Sequence, residues 1–379
     1  MSGRRRIAVV VLNDFTRDNR VLKVAATLAE AGADVEVVAL PGSDLPEREE
    51  RTGGWRVRRL RAPGGSRWVR WGAFAWQVIR GYRRWDAWHC NDAEAFALGV
   101  LAQILSPQLE LIYDCHEFEA ERNAKPAAYL RGVAWLERRF IHRASSVITV
   151  SPSIQAAYRE RYERHGLPEV HLVRNVPHAV DQRAPATRSF RDRFGLAPDD
   201  FIVLYQGAFT FNRGLEEALE AADLLQTEGV HFVFMGYGPL EDLVQKAARR
   251  LPNVHLHEAV PYEQVLAHTA TADLGLVSVK PTCLSYLYCL PNKLFEYIQA
   301  GIPVLTNDLP DCAHLVATFA IGGVVSEDSP AGWADAIRDL RGRTSGFQPG
   351  LKAASLQLHW QKEAPKLLQA HGLADSATD

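Results

Sequence analysis

The chain has 379 residues, 47% of them hydrophobic and 23% charged, with a formal net charge of −2. That length accommodates two or three domains with sizeable cores, and so even a charge balance gives no global case for nucleic acid. The five cysteines are scattered and odd in number, and no apolar run reaches the roughly 18 residues that span a bilayer, which sets aside disulfide scaffolds, cysteine-based metal modules and transmembrane classes. Residues 1–6 are basic, but a strand pattern follows where a signal peptide would have an apolar core, so a reduced, cytoplasmic location is expected.

Residues 6–13, RIAVVVLN, read as a strand buried on both faces. Asp18 is placed to cap a helix running to Ala31, with Val21, Leu22, Ala25 and Leu28 on its apolar side and Gly32 as its stop. A strand over 35–40 completes a β-α-β unit, the start of a doubly wound parallel sheet. The intervening loop lacks G-x-G-x-x-G, which argues against a dinucleotide site of that kind. Residues 51–90 hold ten Arg, one Asp and no Lys or Glu, together with six of the nine Trp. An amphipathic helix from Trp68 to Trp85, with Val69, Phe74, Val78 and Ile79 among its apolar residues, would either pack in the core or lay a basic, aromatic face on an anionic membrane. Single-stranded nucleic acid could use the same chemistry but is not expected here.

WDAWHCND, 85–92, reads as a strand into a loop, followed by a helix from Ala93 to Leu105. LELIYDCHE, 109–117, is a further buried strand, ending on Asp114, His116 and Glu117. Ligands of open α/β sheets bind outside the carboxyl ends of the strands. His116 is therefore the leading candidate in this half, with a capping or core-edge imidazole as the plain alternative. Asn13, Asp92 and Glu117 are further candidates in this half, and His89, Asp92 or Glu117 would orient His116 or stand as surface polar groups.

Residues 179–199, with Pro185, Pro198 and one short helical pattern, read as a linker. FIVLYQG, 201–207, opens a second set of βα units, with strands over 230–235, 253–257 and 273–279 and helices over 214–226, 239–250 and 261–271. The most informative stretch is PNKLFEYIQAGIPVLTND, 291–308. Pro291 suits the first turn of a helix, Leu294, Phe295 and Ile298 give it a buried stripe, and Gly301 and Pro303 end it. Lys293 and Glu296 share one face near its start. The N–H groups of the first helical turn, the positive end of the helix dipole at Asn292 and the Lys293 ammonium make a diphosphate site, and a carboxylate one turn on accepts hydrogen bonds from a ribose diol. A surface helix with an i,i+3 ion pair is the plain alternative. Residues 323–342 read as strand and helix, 355–371 as a closing helix anchored by Trp360, and the tail from Gly372 as frayed.

PNKLFEYIQAGIPVLTNDLP resembles the nucleotide-sugar signature of the GT-B glycosyltransferases, in particular the large retaining family GT4. The resemblance extends from Arg6 to Leu368. DNRVLKVAATLAEAGADVEVV resembles the family's first βα unit, IYDCHE its D-x-H-[ED] strand end, and YQGAFTFNRGLEEALEAA the strand–Gly-loop–helix that touches the donor phosphates. FMGYGPLEDLV resembles its G-x-G-P-L turn, and VHLHEAVPYEQVLAHTATADLGLVSV its base-binding loop and following helix. What the resemblance implies is an α/β GT-B enzyme with two doubly wound Rossmann-like domains facing across a cleft: an acceptor-side domain over 1–178, a linker over 179–199, and a nucleotide-sugar domain over 200–352. A helix over 353–371 would cross back to the first domain, and 372–379 would be tail. It implies a hexose transferred from a UDP- or GDP-type sugar to a glycan or lipid-linked hydroxyl acceptor, with retention and without a metal or other cofactor. Catalysis would fall to His116, Arg213 and Lys293, and donor binding to Gly207, Arg213, Gly236, Gly238, Val260, Tyr262, Asn292, Lys293, Leu294 and Glu296. The chain departs from the pattern at Ala208, where many members carry Arg, and at Tyr288, where the first Glu of E-x7-E would stand. A sugar-nucleotide epimerase, a secondary-metabolite transferase and a non-catalytic donor-binding protein are the alternatives.

Overall fold

The structure is a computed structural model that describes residues 4–16, 18–61, 64–179 and 189–373. Residues 180–188 of the linker pattern, the tail from Ala374 and the side chain of Trp68 lie outside the described residues. The chain divides into two compact units, Met1–Asn175 with Glu363–Asp379, and Val176–Lys362.

The first unit is built on eight strands: β1 (Arg6–Val10), β2 (Asp34–Ala39), β3 (Arg48–Arg51), β4 (Trp55–Arg59), β5 (Ala87–Asn91), β6 (Glu110–Cys115), β7 (Ser146–Thr149) and β8 (Val170–Leu172). Their order is β3-β4-β2-β1-β5-β6-β7-β8, parallel except for the β3–β4 pair. The chain works outward from β1 and then returns across it to β5, so the sheet changes direction between these two strands, which is where such sheets bind ligands. Continuous apolar runs make the central strands: Ile7 to Val10 are fully buried in β1, and β5 is buried along its whole length. The helix Asn19–Glu30 begins where expected, with the Asp18 side chain accepting from the Val21 N–H at 3.1 Å.

The second unit carries β9 (Phe201–Ala208), β10 (Val230–Tyr237), β11 (Val254–Glu258), β12 (Leu274–Val277), β13 (Val304–Thr306) and β14 (Gly322–Val324) in the order β11-β10-β9-β12-β13-β14, all parallel. Its change of direction lies between β9 and β12. The helix Asn292–Ala300 packs there, burying Leu294, Phe295, Tyr297 and Ile298 and ending at Gly301 in a left-handed conformation. Pro291 stands one position outside the helix, as its N-cap, because its ψ of 142° is extended. Gly275 on β12 makes room for Tyr297: a Cβ there would lie 2.4 Å from the ring.

One expectation needs correction. The closing helix expected over 355–371 is two helices, Gln348–Gln357 and Trp360–Ala370, separated at Leu358 and His359. Trp360 is buried, and its N–H donates to Pro177 O at 2.8 Å. The tryptophans of 51–90 are divided between core and surface. Trp55 and Trp88 are core residues, whereas Trp71 and Trp76 on the helix Arg67–Tyr82 are 43% and 61% exposed.

Candidate functional site

Each unit carries a candidate cluster of its own. In the second unit it forms at the carboxyl end of β9 and the amino end of the helix Asn292–Ala300. Asn292 is exposed in the first turn, and Lys293 beside it turns inward. The Lys293 Nζ lies 3.9 Å from the centre of the Tyr205 ring and finds no hydrogen-bond acceptor among the described residues. Burial, and then the charge of the neighbouring Arg213, push its pKa down to about 7. Arg213 lies 4.6 Å from the centre of the Tyr286 ring. Its carbonyl accepts from the hydroxyls of Tyr205 at 3.2 Å and Ser278 at 3.0 Å, which fixes the loop that carries the guanidinium. Gly214 follows in a left-handed conformation, with its backbone against Ser278, and starts the helix Leu215–Leu224. Two cations from separate elements are thus seated on adjoining aromatic faces, where like charge makes each of them receptive to an anion.

Glu296 is held one turn further along. Its Oε2 accepts from Gln206 Nε2 at 2.5 Å, and Gln206 Oε1 accepts from the Thr269 hydroxyl at 2.7 Å. Tyr262, at the start of the helix Tyr262–Thr269, has its hydroxyl pKa pushed up to about 12 by burial and then by Glu296. Val260 is half-buried against the core, and Leu294 is fully buried, so its side chain packs the helix. The three glycines differ. Gly236 and Gly238 are demanded by packing, since a Cβ would lie 1.9 Å from Gly207 O and 2.5 Å from Phe209 O respectively. Gly207, at φ 113°, faces open space, a backbone that a ligand can approach closely.

In the first unit the carboxyl ends of β5 and β6 bring Asp92, Asp114 and His116 together. Asp114 is fully buried and receives Arg20 on both oxygens, Nη2 to Oδ1 at 2.7 Å and Nε to Oδ2 at 2.8 Å. His116 lies with Nε2 3.4 Å from Asp114 Oδ2 and Nδ1 3.4 Å from Asp92 Oδ1. Burial raises the Asp114 pKa, but Arg20 and then His116 overcome it and hold the group well below the usual carboxylate range. Burial lowers the His116 pKa, but Asp114 and Asp92 overcome it and raise it. Asp92 reaches His116 from a left-handed backbone, φ 68°, at the first residue of the helix Asp92–Leu105. Such a conformation costs on the order of 1–2 kcal/mol and persists only where its surroundings enforce it. Glu117 pairs with Arg122 at 3.1 Å, and Arg122 also meets the buried Glu119 at 3.3 Å. The side chain of Asn13 serves its own loop, donating to Asp18 Oδ2 at 2.9 Å and accepting from the Phe15 N–H at 2.8 Å.

Sequence reasoning did not single out Arg20, Tyr205, Gln206, Thr269, Tyr286 or His371. Arg20 carried a signal, a cation beside Val21, Val24 and Leu28 on a helix whose apolar face is buried. Among the described residues no group of three or more His, Cys, Asp or Glu side chains has an arrangement that would hold a metal ion.

Residues 18–176 match the family Glycosyl transferase 4-like domain, and residues 200–342 match Glycosyl transferases group 1. A protein of Escherichia coli named for colanic acid biosynthesis glycosyl transfer, WcaI, is 28% identical over 171 residues, 44% of this chain and 41% of that protein. The D-inositol 3-phosphate glycosyltransferase of Xylanimonas cellulosilytica is 22% identical over 93% of this chain and 90% of its own length. Among solved structures, sucrose-phosphate synthase from Thermosynechococcus elongatus superimposes with a TM-score of 0.78 at 18% identity, covering 99% of this chain and 100% of that one. HepE of Anabaena, solved with UDP-glucose, gives 0.75 at 16% identity, covering 97% and 98%.

Proposed function

The chain belongs to the group 1 glycosyltransferases of the GT4 type, with the GT-B fold, and from that premise we propose that it moves a hexose from a nucleoside diphosphate sugar to a hydroxyl acceptor with retention of configuration. The observation that carries the reading is the pair of basic side chains at the amino end of the Asn292–Ala300 helix, Lys293 buried without an acceptor among the described residues and Arg213 beside it. As the glycosidic bond breaks, negative charge gathers on the leaving diphosphate. Lys293, Arg213 and the positive end of the Asn292–Ala300 helix dipole interact more strongly with that charge than with the intact donor, which lowers the barrier. Glu296, oriented by Gln206, takes the ribose hydroxyls. The departing phosphate accepts the proton of the attacking hydroxyl on the same face, so no strong protein base is required. The Asp114 and Asp92 carboxylates beside the ring nitrogens of His116 favour its charged form, and this ring acts on the sugar or acceptor. These cations do the work of a divalent ion, and activity is expected to survive EDTA.

The donor is of the UDP or GDP type; a structural neighbour, HepE, was solved with UDP-glucose, which supports the former. The acceptor is a glycan or lipid-linked glycan, a reading supported by the helix Arg67–Tyr82. This helix contains no acidic residue, buries Phe74, Val78 and Tyr82, and exposes Val69, Trp71 and Trp76 alongside Arg70 and Arg80. Basic side chains beside interfacial tryptophans suit an anionic membrane surface. A thermal-shift screen with UDP, GDP and their sugars tests the donor assignment, since a ligand that binds the native state raises Tm. A rise with one nucleotide series is expected, followed by transfer to an acceptor; no shift with any nucleotide would refute it. Conversion of the sugar nucleotide without an acceptor would point instead to an epimerase.

A further inference from the structure

The turn that follows the helix Trp360–Ala370 reaches the back of the His116 cluster. His371, just beyond the helix Trp360–Ala370, is 1% exposed, and its Nε2 lies 3.0 Å from His89 Nδ1. The two rings are nearly parallel, 9° apart. His89, on β5 and fully buried, places its Nε2 3.0 Å from Asp114 Oδ2. That same oxygen takes Arg20 Nε at 2.8 Å and faces His116 Nε2 at 3.4 Å. The helix that brings His371 here is tied down in the same unit. The buried Glu363 accepts from the Arg174 N–H at 3.0 Å, and the Ser146 hydroxyl donates to Ala370 O at 2.8 Å.

The protons in this chain follow from its one anion. Asp114, gripped by Arg20 on both oxygens, is a carboxylate and can only accept. The proton between His89 and Asp114 therefore sits on His89 Nε2. A neutral, buried His89 then has a bare Nδ1, so the proton in the contact between the two histidines sits on His371 Nε2. Burial pushes the His371 pKa well below its ordinary value and keeps the ring neutral. His371 Nδ1 is left as a buried lone pair, without a partner among the described residues. Asp114 Oδ2 accepts from both Arg20 and His89, and this explains why His116 stands at 3.4 Å, beyond hydrogen-bond length.

We propose that His371 is a positioning residue for His116: by donating to His89 it keeps His89 bonded to Asp114, and so limits how tightly Asp114 holds the proton on His116. Without that donor, His89 loses the contact that orients it, Asp114 Oδ2 turns to His116, and the imidazolium becomes harder to deprotonate. The other charges around His116 are Asp92 and Arg20, and those around His371 are Arg5, Asp114 and His171. None of them changes in the substitutions below. The consequence for turnover rests on His116 acting at the reaction centre; the effect on its proton does not.

The test is a histidine NMR titration of the full chain labelled with 15N and 13C, as wild type, His371→Phe and His371→Gln. Wild-type long-range 15N–1H spectra are expected to show His89 and His371 neutral with the proton on Nε2. In His371→Phe the His116 midpoint is expected to rise by about half a pH unit, with the matching limb of the kcat/KM profile moving alongside it. In His371→Gln the amide N–H₂ replaces the lost donor, and the midpoint is expected to return to its wild-type value. An unchanged midpoint in His371→Phe, an equal shift in both variants, or a wild-type His371 protonated on Nδ1 would overturn the proposal. The wild-type spectra and the Gln variant decide it should the Phe variant not fold. A midpoint that shifts while His116→Ala keeps full activity would leave this inference standing and sink only the catalytic role of His116.

Discussion

Replacing Lys293 by methionine is expected to make the protein more stable and unable to hold its donor. Lys293 is 9% exposed, has no hydrogen-bond acceptor among the described residues and titrates near 7, against an ordinary 10.5. The unfolded chain binds a proton on this lysine throughout the interval between those values, and the folded chain does not. Stability therefore rises with pH across that window: the penalty is fully present below about pH 7 and gone above the unfolded value. At 1.36 kcal/mol for each factor of ten, the lysine costs the fold roughly 4 kcal/mol at pH 7 and about 1 kcal/mol at pH 9.5. Methionine fills the same space without a charge and forgoes a contact with the Tyr205 ring worth about 1 kcal/mol. Urea denaturation of Lys293→Met and wild type at both pH values reads the difference. The variant is expected to be more stable by about 2–4 kcal/mol at pH 7, and the gap to shrink to within about 1 kcal/mol at pH 9.5. A variant less stable than wild type at pH 7, or a gap that ignores pH, would refute the idea that this lysine is a desolvated cation kept for an anionic ligand.

Three further outcomes are expected. His116→Ala should lower kcat far more than it weakens donor affinity, by about a hundredfold or more, read by steady-state kinetics beside calorimetry; turnover near wild type would remove it from the reaction. The thermal midpoint should fall steadily as pH drops from 6.5 toward 4, because burial keeps His89, His371 and His255 neutral, the last down to about 4, while the unfolded chain takes up their protons; a midpoint flat over that range would contradict their burial as neutral rings. Trp71→Ser with Trp76→Ser should abolish flotation with anionic vesicles at low salt while leaving donor binding intact; equal flotation of variant and wild type would dismiss this helix as a membrane contact.

Much of the fold was legible because its causes are local. The apolar runs of β1, β5 and β6 spell buried parallel strands, Asp18 caps its helix from one position away, and Leu294, Phe295 and Ile298 recur at helical spacing between Pro291 and Gly301. The part of the site that lies on one helix, Lys293 with Glu296, was equally visible. Long-range pairing was not. Arg20 and Asp114 are 94 residues apart, and His89 and His371 are 282 apart, so no window of periodicity contains both partners. Local patterns are also silent on Asp92, whose left-handed backbone is imposed from outside. The tryptophans of 51–90 share one composition and two fates, because Trp55 and Trp88 lie on strands of the sheet and Trp71 and Trp76 on the outer face of a helix. The break at Leu358 and His359 was likewise unseen, since the sequence there contains neither glycine nor proline to mark it.

The central claim is that a nucleoside diphosphate is gripped at the amino end of the Asn292–Ala300 helix by Lys293 and Arg213. Isothermal titration calorimetry with UDP and GDP on wild type and on the Arg213→Met, Lys293→Met double variant tests it most directly. One nucleotide is expected to bind the wild type at a single site and to lose about a hundredfold or more in affinity in the variant. Equal affinity in both proteins would contradict the account.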